Sequence, residues 1–103
     1  KSQQIMDDSI RAATHALLLR YPELTLIPCG KAITLARQTK LGDTLCRDGY
    51  HLNYVYGRYT AACVWYELLT GKDCRRNPYK NADMTKKQKR LTQKSAHRAL
   101  SAD

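Results

Sequence analysis

The chain has 103 residues, 43 % of them hydrophobic, and a formal net charge of +9. That length allows one small domain or a piece of one, and the apolar content lies well above the disordered range. No stretch approaches 18 consecutive apolar residues and the first residues lack a charged-then-apolar leader pattern, so neither a membrane span nor a targeting peptide is expected, although a signal peptide upstream of Lys1 would favour a periplasmic or secreted location.

Residues 3 to 20 form an amphipathic helix in this reading, because Ile5, Met6, Ile10, Ala13, Leu17 and Leu18 recur at helical spacing and Tyr21-Pro22 stops the pattern. His15 is a surface or packing residue of that helix. Leu24-Thr25-Leu26-Ile27 reads as a short buried strand ended by Pro28-Cys29-Gly30. Lys31 to Thr39 is a short helix, and Lys40 to Asn53 is a loop rich in Gly, Asp and Asn. A helix from Tyr56 or Gly57 to Leu69 is the strongest element, with Gly71 as its C-cap. A polar, basic loop from Lys72 to Asn81 leads into a last helix from about Thr85 to Leu100, whose narrow stripe of Leu91, Ala96, Ala99 and Leu100 predicts light packing and a surface position for His97. A strand alone cannot satisfy its backbone groups, so the helix–strand–helix order predicts the last part of an α/β domain, to be completed by parallel neighbours.

Charge is concentrated late in the chain: residues 72 to 98 carry ten Lys/Arg against Asp73 and Asp83, or +8. Such a tail can contact phosphates or other anionic surfaces. No aromatic residues interleave with Lys86, Lys87, Lys89, Arg90 and Lys94, so a solvated helix face is the simpler expectation and a nucleic-acid partner is not expected. The four cysteines, Cys29, Cys46, Cys63 and Cys74, are separated by 17, 17 and 11 residues and include no Cys-x-x-Cys pair. No metal site or cofactor is expected from that spacing. Cys29 and Cys63 read as buried thiols, whereas Cys46 and Cys74, in loops, are open to pairing in an oxidising compartment.

The chemistry points to Arg47-Asp48-Gly49-Tyr50-His51-Leu52, where a carboxylate precedes an imidazole by three residues on a glycine-containing turn. An Asp accepting the imidazole Nδ1 proton leaves Nε2 free to take the proton of a nucleophilic hydroxyl. The same spacing also serves an Asp that merely orients a structural His.

Three stretches, Ile27 to Ala32, Leu45 to Asn53 and Gly57 to Gly71, resemble the C-terminal part of an SGNH (GDSL-like) hydrolase, in a poorly characterised Bacteroidetes branch. The resemblance spans most of residues 1 to 100 and implies that residues 1–103 are the C-terminal portion of one such domain, with 72–103 its basic loop and final helix. It implies a flavodoxin-like three-layer α/β/α fold, mostly helical here with one short parallel strand. It assigns the triad acid and base to Asp48 and His51. Trp65 and the tyrosines read as packing residues of their helix, with Arg58 and Tyr59, just beyond the His loop, as the alternative candidates for the acyl or sugar end of the pocket. The implied substrate is a small acyl ester or an acylated carbohydrate.

The family's nucleophile block, Gly-Asp-Ser, has no counterpart in these residues. Gly42-Asp43-Thr44 matches only in letters and reads as a turn, while Ser2, Ser9, Ser95 and Ser101 fall in helical patterns without the exposed elbow an activated serine needs. The expected activity is therefore that of a serine esterase to which this segment contributes the Asp and the His. The alternatives are a non-catalytic remnant of the fold, or a basic module binding anionic polymers. Substrate identity and oligomeric state are not legible.

Overall fold

A computed structural model describes residues 2–48 and 51–101. Four α-helices follow one another: α1 Ser2–Arg20, α2 Cys29–Arg37, α3 Tyr56–Thr70 and α4 Lys86–Ser101, with a short 3₁₀ turn at Cys74–Arg76 between α3 and α4.

The expected α/β architecture is overturned, since the described residues contain helices and no strand or sheet, and their only ladder is an isolated antiparallel bridge between Cys46 and Leu52. Leu24 to Ile27, expected as a parallel strand of a flavodoxin-like sheet, is an irregular connection in which Leu24 and Leu26 are each 48 % exposed. Its letters favour a strand, but a strand is a property of pairs. Without a neighbour to complete the ladder, the apolar run only links two helices.

The core lies where α2, α3 and α4 meet. Ala32, Tyr59, Cys63, Val64, Cys74, Met84, Ala96 and Ala99 form one buried cluster, and Ile33, Ala36 and Leu45 form a second that anchors the loop after α2. α4 is the central packing element against both α2 and α3, contrary to the expectation of light packing. Its buried face is made of Thr92, Gln93, Ser95, Ala96 and Ala99. Small side chains let the helices approach closely, and the Thr92 and Ser95 hydroxyls donate back to the Gln88 and Leu91 carbonyls, so neither hydroxyl is buried unpaired.

The helix ends follow their side chains. Gly71 closes α3 at φ 75°, a left-handed conformation that glycine adopts without steric penalty, and its N–H returns to the Glu67 carbonyl. Thr85 and Gln88 exchange hydrogen bonds of 3.0 Å in a capping box that starts α4.

α1 packs much less closely on the other described helices than they do on one another. It is tied to them through the Arg37–Asp7 ion pair of 3.1 Å, and its Ile5, Ile10, Leu17 and Leu19 remain exposed. No helix among the described residues is long and apolar enough to cross a membrane.

Candidate functional site

The Asp48–His51 segment is the end of a small hairpin whose base is welded to α3. The Arg47 N–H donates to the His51 carbonyl at 2.8 Å and the Asn53 N–H to the Leu45 carbonyl at 2.8 Å, which pairs the two arms. The Arg47 Nε adds a bond of 3.1 Å to the Leu52 carbonyl. Gly49 and Tyr50 lie outside the described residues.

Asn53 makes the weld. Its Oδ1 accepts from the Val55 and Gly57 N–H groups at 3.0 and 2.8 Å, satisfying donors at the start of α3, while its Nδ2 donates to the Thr44 carbonyl at 2.7 Å. Tyr56 adds a hydroxyl bond of 2.6 Å to Thr44 Oγ1, and Leu45 is fully buried against Ile33 and Ala36. Gly57 lets α3 come this close, because a Cβ there would run into the Leu45 carbonyl oxygen.

On this support Asp48 holds His51 with both carboxylate oxygens. Oδ1 accepts the His51 backbone N–H at 2.7 Å and Oδ2 the ring Nδ1–H at 2.7 Å. A carboxylate facing Nδ1 requires the proton there, so the neutral ring carries its lone pair on Nε2. The His51 and Asp48 side chains are 65 % and 45 % exposed, and the pair is open to an incoming group.

The structure separates the two other candidates. Arg58 lies at the surface on the first turn of α3, its guanidinium 4.4 Å from the centroid of the Tyr54 ring. Tyr59 turns into the core, where its hydroxyl donates to the Tyr79 carbonyl at 2.6 Å and accepts from Gln93 Nε2 at 3.0 Å. Burial pushes the Tyr59 phenol up to about 12, with the Cys63 thiol adding to the rise. Its hydrogen-bonding capacity is spent on holding α4 and the 77–79 connection to α3.

A second polar cluster escaped the sequence reading. His97, expected at the surface, inserts between Glu67 Oε2 at 2.8 Å and Asp73 Oδ1 at 3.5 Å. Glu67 Oε1 accepts the Cys74 N–H at 3.0 Å, and Asp73 both caps the 3₁₀ turn and is gripped by the Arg75 guanidinium, which holds its carboxyl well below the usual carboxylate range. Glu67, Asp73 and Cys74 bring potential metal-ligand atoms within 4.8 Å of one another, but the carboxylates already serve protein donors and Arg75 opposes a cation. The cluster is a bracket joining α3, the 3₁₀ turn and α4. No local spacing announces it, since Glu67 and His97 are 30 residues apart.

All four cysteines are free. Cys74, expected in a loop and open to pairing, is 1 % exposed and donates to the Gln93 carbonyl at 3.4 Å. The interaction of the two thiols lowers Cys63 and, together with burial, raises Cys74. In the basic tail, the Lys80 and Lys89 ammonium groups donate to the Met84 and Pro78 carbonyls, which diverts two of its cations from outside partners.

Residues 1–99 match the sequence profile of a family described as a domain of unknown function, DUF4886. Among solved structures, a crystal structure of a DUF4886 family protein from Bacteroides uniformis ATCC 8492 is similar, with 40 % identity and a TM-score of 0.88 over 92 % of this chain and 37 % of that one. The chain thus spans little more than a third of the length of that relative. No curated protein matches it.

Proposed function

The chain belongs to the DUF4886 family, and we propose that within it these residues furnish the acid and base of a serine ester hydrolase of the SGNH (GDSL-like) type. The observation that carries this reading is the double hold of Asp48 on His51, through backbone and ring, which fixes the tautomer and leaves the Nε2 lone pair on an exposed ring. An Asp that served only to cap the turn would need the first of these bonds and not the second.

In the proposed reaction, a serine from a part of the family's longer chain outside these residues attacks an ester carbonyl carbon. His51 Nε2 takes the serine proton as the C–O bond forms, then returns it to the leaving alkoxide as the tetrahedral adduct collapses. Asp48 holds the ring throughout and stabilises its protonated form. Water, deprotonated by the same Nε2, then releases the acid and regenerates the serine. The exposure of the pair supports this division of labour, since a hairpin open on its outer side offers one wall of a pocket and leaves room for a second. The resemblance to esterases makes small acyl esters, including those on carbohydrate, the substrate class.

The test is acyl release by the native polypeptide from p-nitrophenyl acetate and from acetylated oligosaccharides, together with fluorophosphonate labelling read by peptide mass spectrometry. His51→Ala should lower kcat by about two to four orders of magnitude, the usual contribution of a general base, with the melting temperature little changed because the ring is exposed. Asp48→Asn should act in the same direction. Undiminished turnover in His51→Ala would remove it from the mechanism, and a wild-type protein that neither labels nor hydrolyses would end the esterase reading.

A further inference from the structure

Two arginines share one aromatic ring beside the hairpin. The Arg47 guanidinium carbon lies 4.5 Å from the Tyr54 ring centroid and that of Arg58 lies 4.4 Å from it. Arg47 belongs to the hairpin arm and Arg58 to the first turn of α3, so the ring ties together the two elements that carry His51. All three side chains are exposed. Among the described residues neither guanidinium forms an ion pair.

Holding two cations against one small ring without a carboxylate is costly by mutual repulsion, and the attraction of each to the ring face offsets only part of it. The Arg47 Nε is engaged by the Leu52 carbonyl, which fixes that guanidinium and leaves its two terminal nitrogens to meet the oxygens of a carboxylate or sulfate, as those of Arg58 can. The stack is therefore an ordered pair of cationic forks at an open surface. The Arg47 N–H bonds the His51 carbonyl, so the forks are joined by backbone to the proposed base.

We propose that Arg47, Tyr54 and Arg58 form an anion subsite that takes the carboxylate or sulfate of an acidic glycan whose ester is presented to His51. The assignment of a glycan ester rests on the hydrolase reading above. The anion preference rests on the stack.

The test uses the native polypeptide and three hexasaccharides in isothermal titration calorimetry: hyaluronan with carboxylates alone, chondroitin sulfate with carboxylates and sulfates, and neutral chitohexaose. Binding of at least one acidic oligomer should be tenfold or more tighter than that of chitohexaose, should weaken as salt rises, and should fall about tenfold in Arg58→Gln and in Arg47→Gln. Equal affinity for hyaluronan and chondroitin sulfate would identify the carboxylate as the group bound, and preference for chondroitin sulfate the sulfate. Tyr54→Leu, which removes the ring and leaves both charges, should weaken acidic oligomers while sparing the melting temperature.

Equal binding of neutral and acidic oligomers, or unchanged acidic binding in both arginine variants, would overturn the subsite. The two readings fail separately. Arginine-dependent binding without acyl release would sink the hydrolase and keep the subsite, whereas His51-dependent acyl release with arginine-independent binding would do the reverse.

Discussion

Asp48 and Asp73 are both held by local partners, and the difference between them is what each carboxylate leaves available. Asp48 gives both oxygens to His51 and passes the consequence to an exposed imidazole ring. Asp73 instead faces Arg75, the start of the 3₁₀ turn and His97, and its charge is consumed in holding α3 to α4. Because Arg75 depresses the Asp73 carboxyl in the folded state, its contribution to stability is fully present above the ordinary carboxylate value of about 4 and is lost as pH falls through the depressed value. Asp73→Asn should therefore lower the urea midpoint at pH 7, and the gap to the wild type should narrow below about pH 4. A gap that stays constant from pH 7 to pH 2 would show that the charge is not what matters. At this scale the pairing of Asp48 with His51 was legible, because three residues on one turn bring two side chains together whatever surrounds them. The bracket of Glu67, Asp73 and His97 was not, because its members meet only after α3 and α4 have packed.

Among the elements, α3 could be read almost residue by residue, from its start near Gly57 to the left-handed Gly71 that closes it. α4 could not. Its narrow apolar stripe suggested a helix lying lightly on the surface, yet Thr92, Gln93 and Ser95 are buried beside Ala96 and Ala99. Hydropathy counts a threonine or serine as polar, but a hydroxyl that bonds its own helix presents mostly hydrocarbon to its neighbours. Residues 24 to 27 differ in the other direction: their letters favour a strand, but no partner strand exists among the described residues. The junction between the hairpin and α3 rests on Gly57, which gives the element-scale prediction. Gly57→Ala should destabilise the chain by about 1 to 3 kcal/mol, the usual range for overpacking, because the new methyl meets backbone that cannot rotate away. Chemical denaturation measures this, and an unchanged midpoint would mean that α3 can slide away from the hairpin without loss.

For the whole molecule, the three closely packed helices and the loosely held α1 are expected to differ in stability. A helix of 19 residues is marginal in water without tertiary contacts, and α1 meets the others chiefly at Arg37 and along a cleft lined by Ile10, Leu26 and Ile27. In hydrogen–deuterium exchange of these 103 residues, amides of α1 should exchange at least about a hundredfold faster than those of α4, a difference of the size expected between fraying and core segments. Comparable protection of both would indicate that α1 is held by something other than the contacts described.

The weld around Asn53 has a kinetic consequence. Its longest bond, Tyr56 to Thr44, spans 12 residues and that between Asp48 and His51 spans 3, whereas Tyr59 and Gln93 meet across 34. Closing short loops costs little chain entropy and takes tens of nanoseconds, and contacts of low order form early. The acid and base are thus expected to be in register before α4 arrives. During synthesis, the residues that orient His51 are all joined to the chain before the first residue of the helix that completes the core.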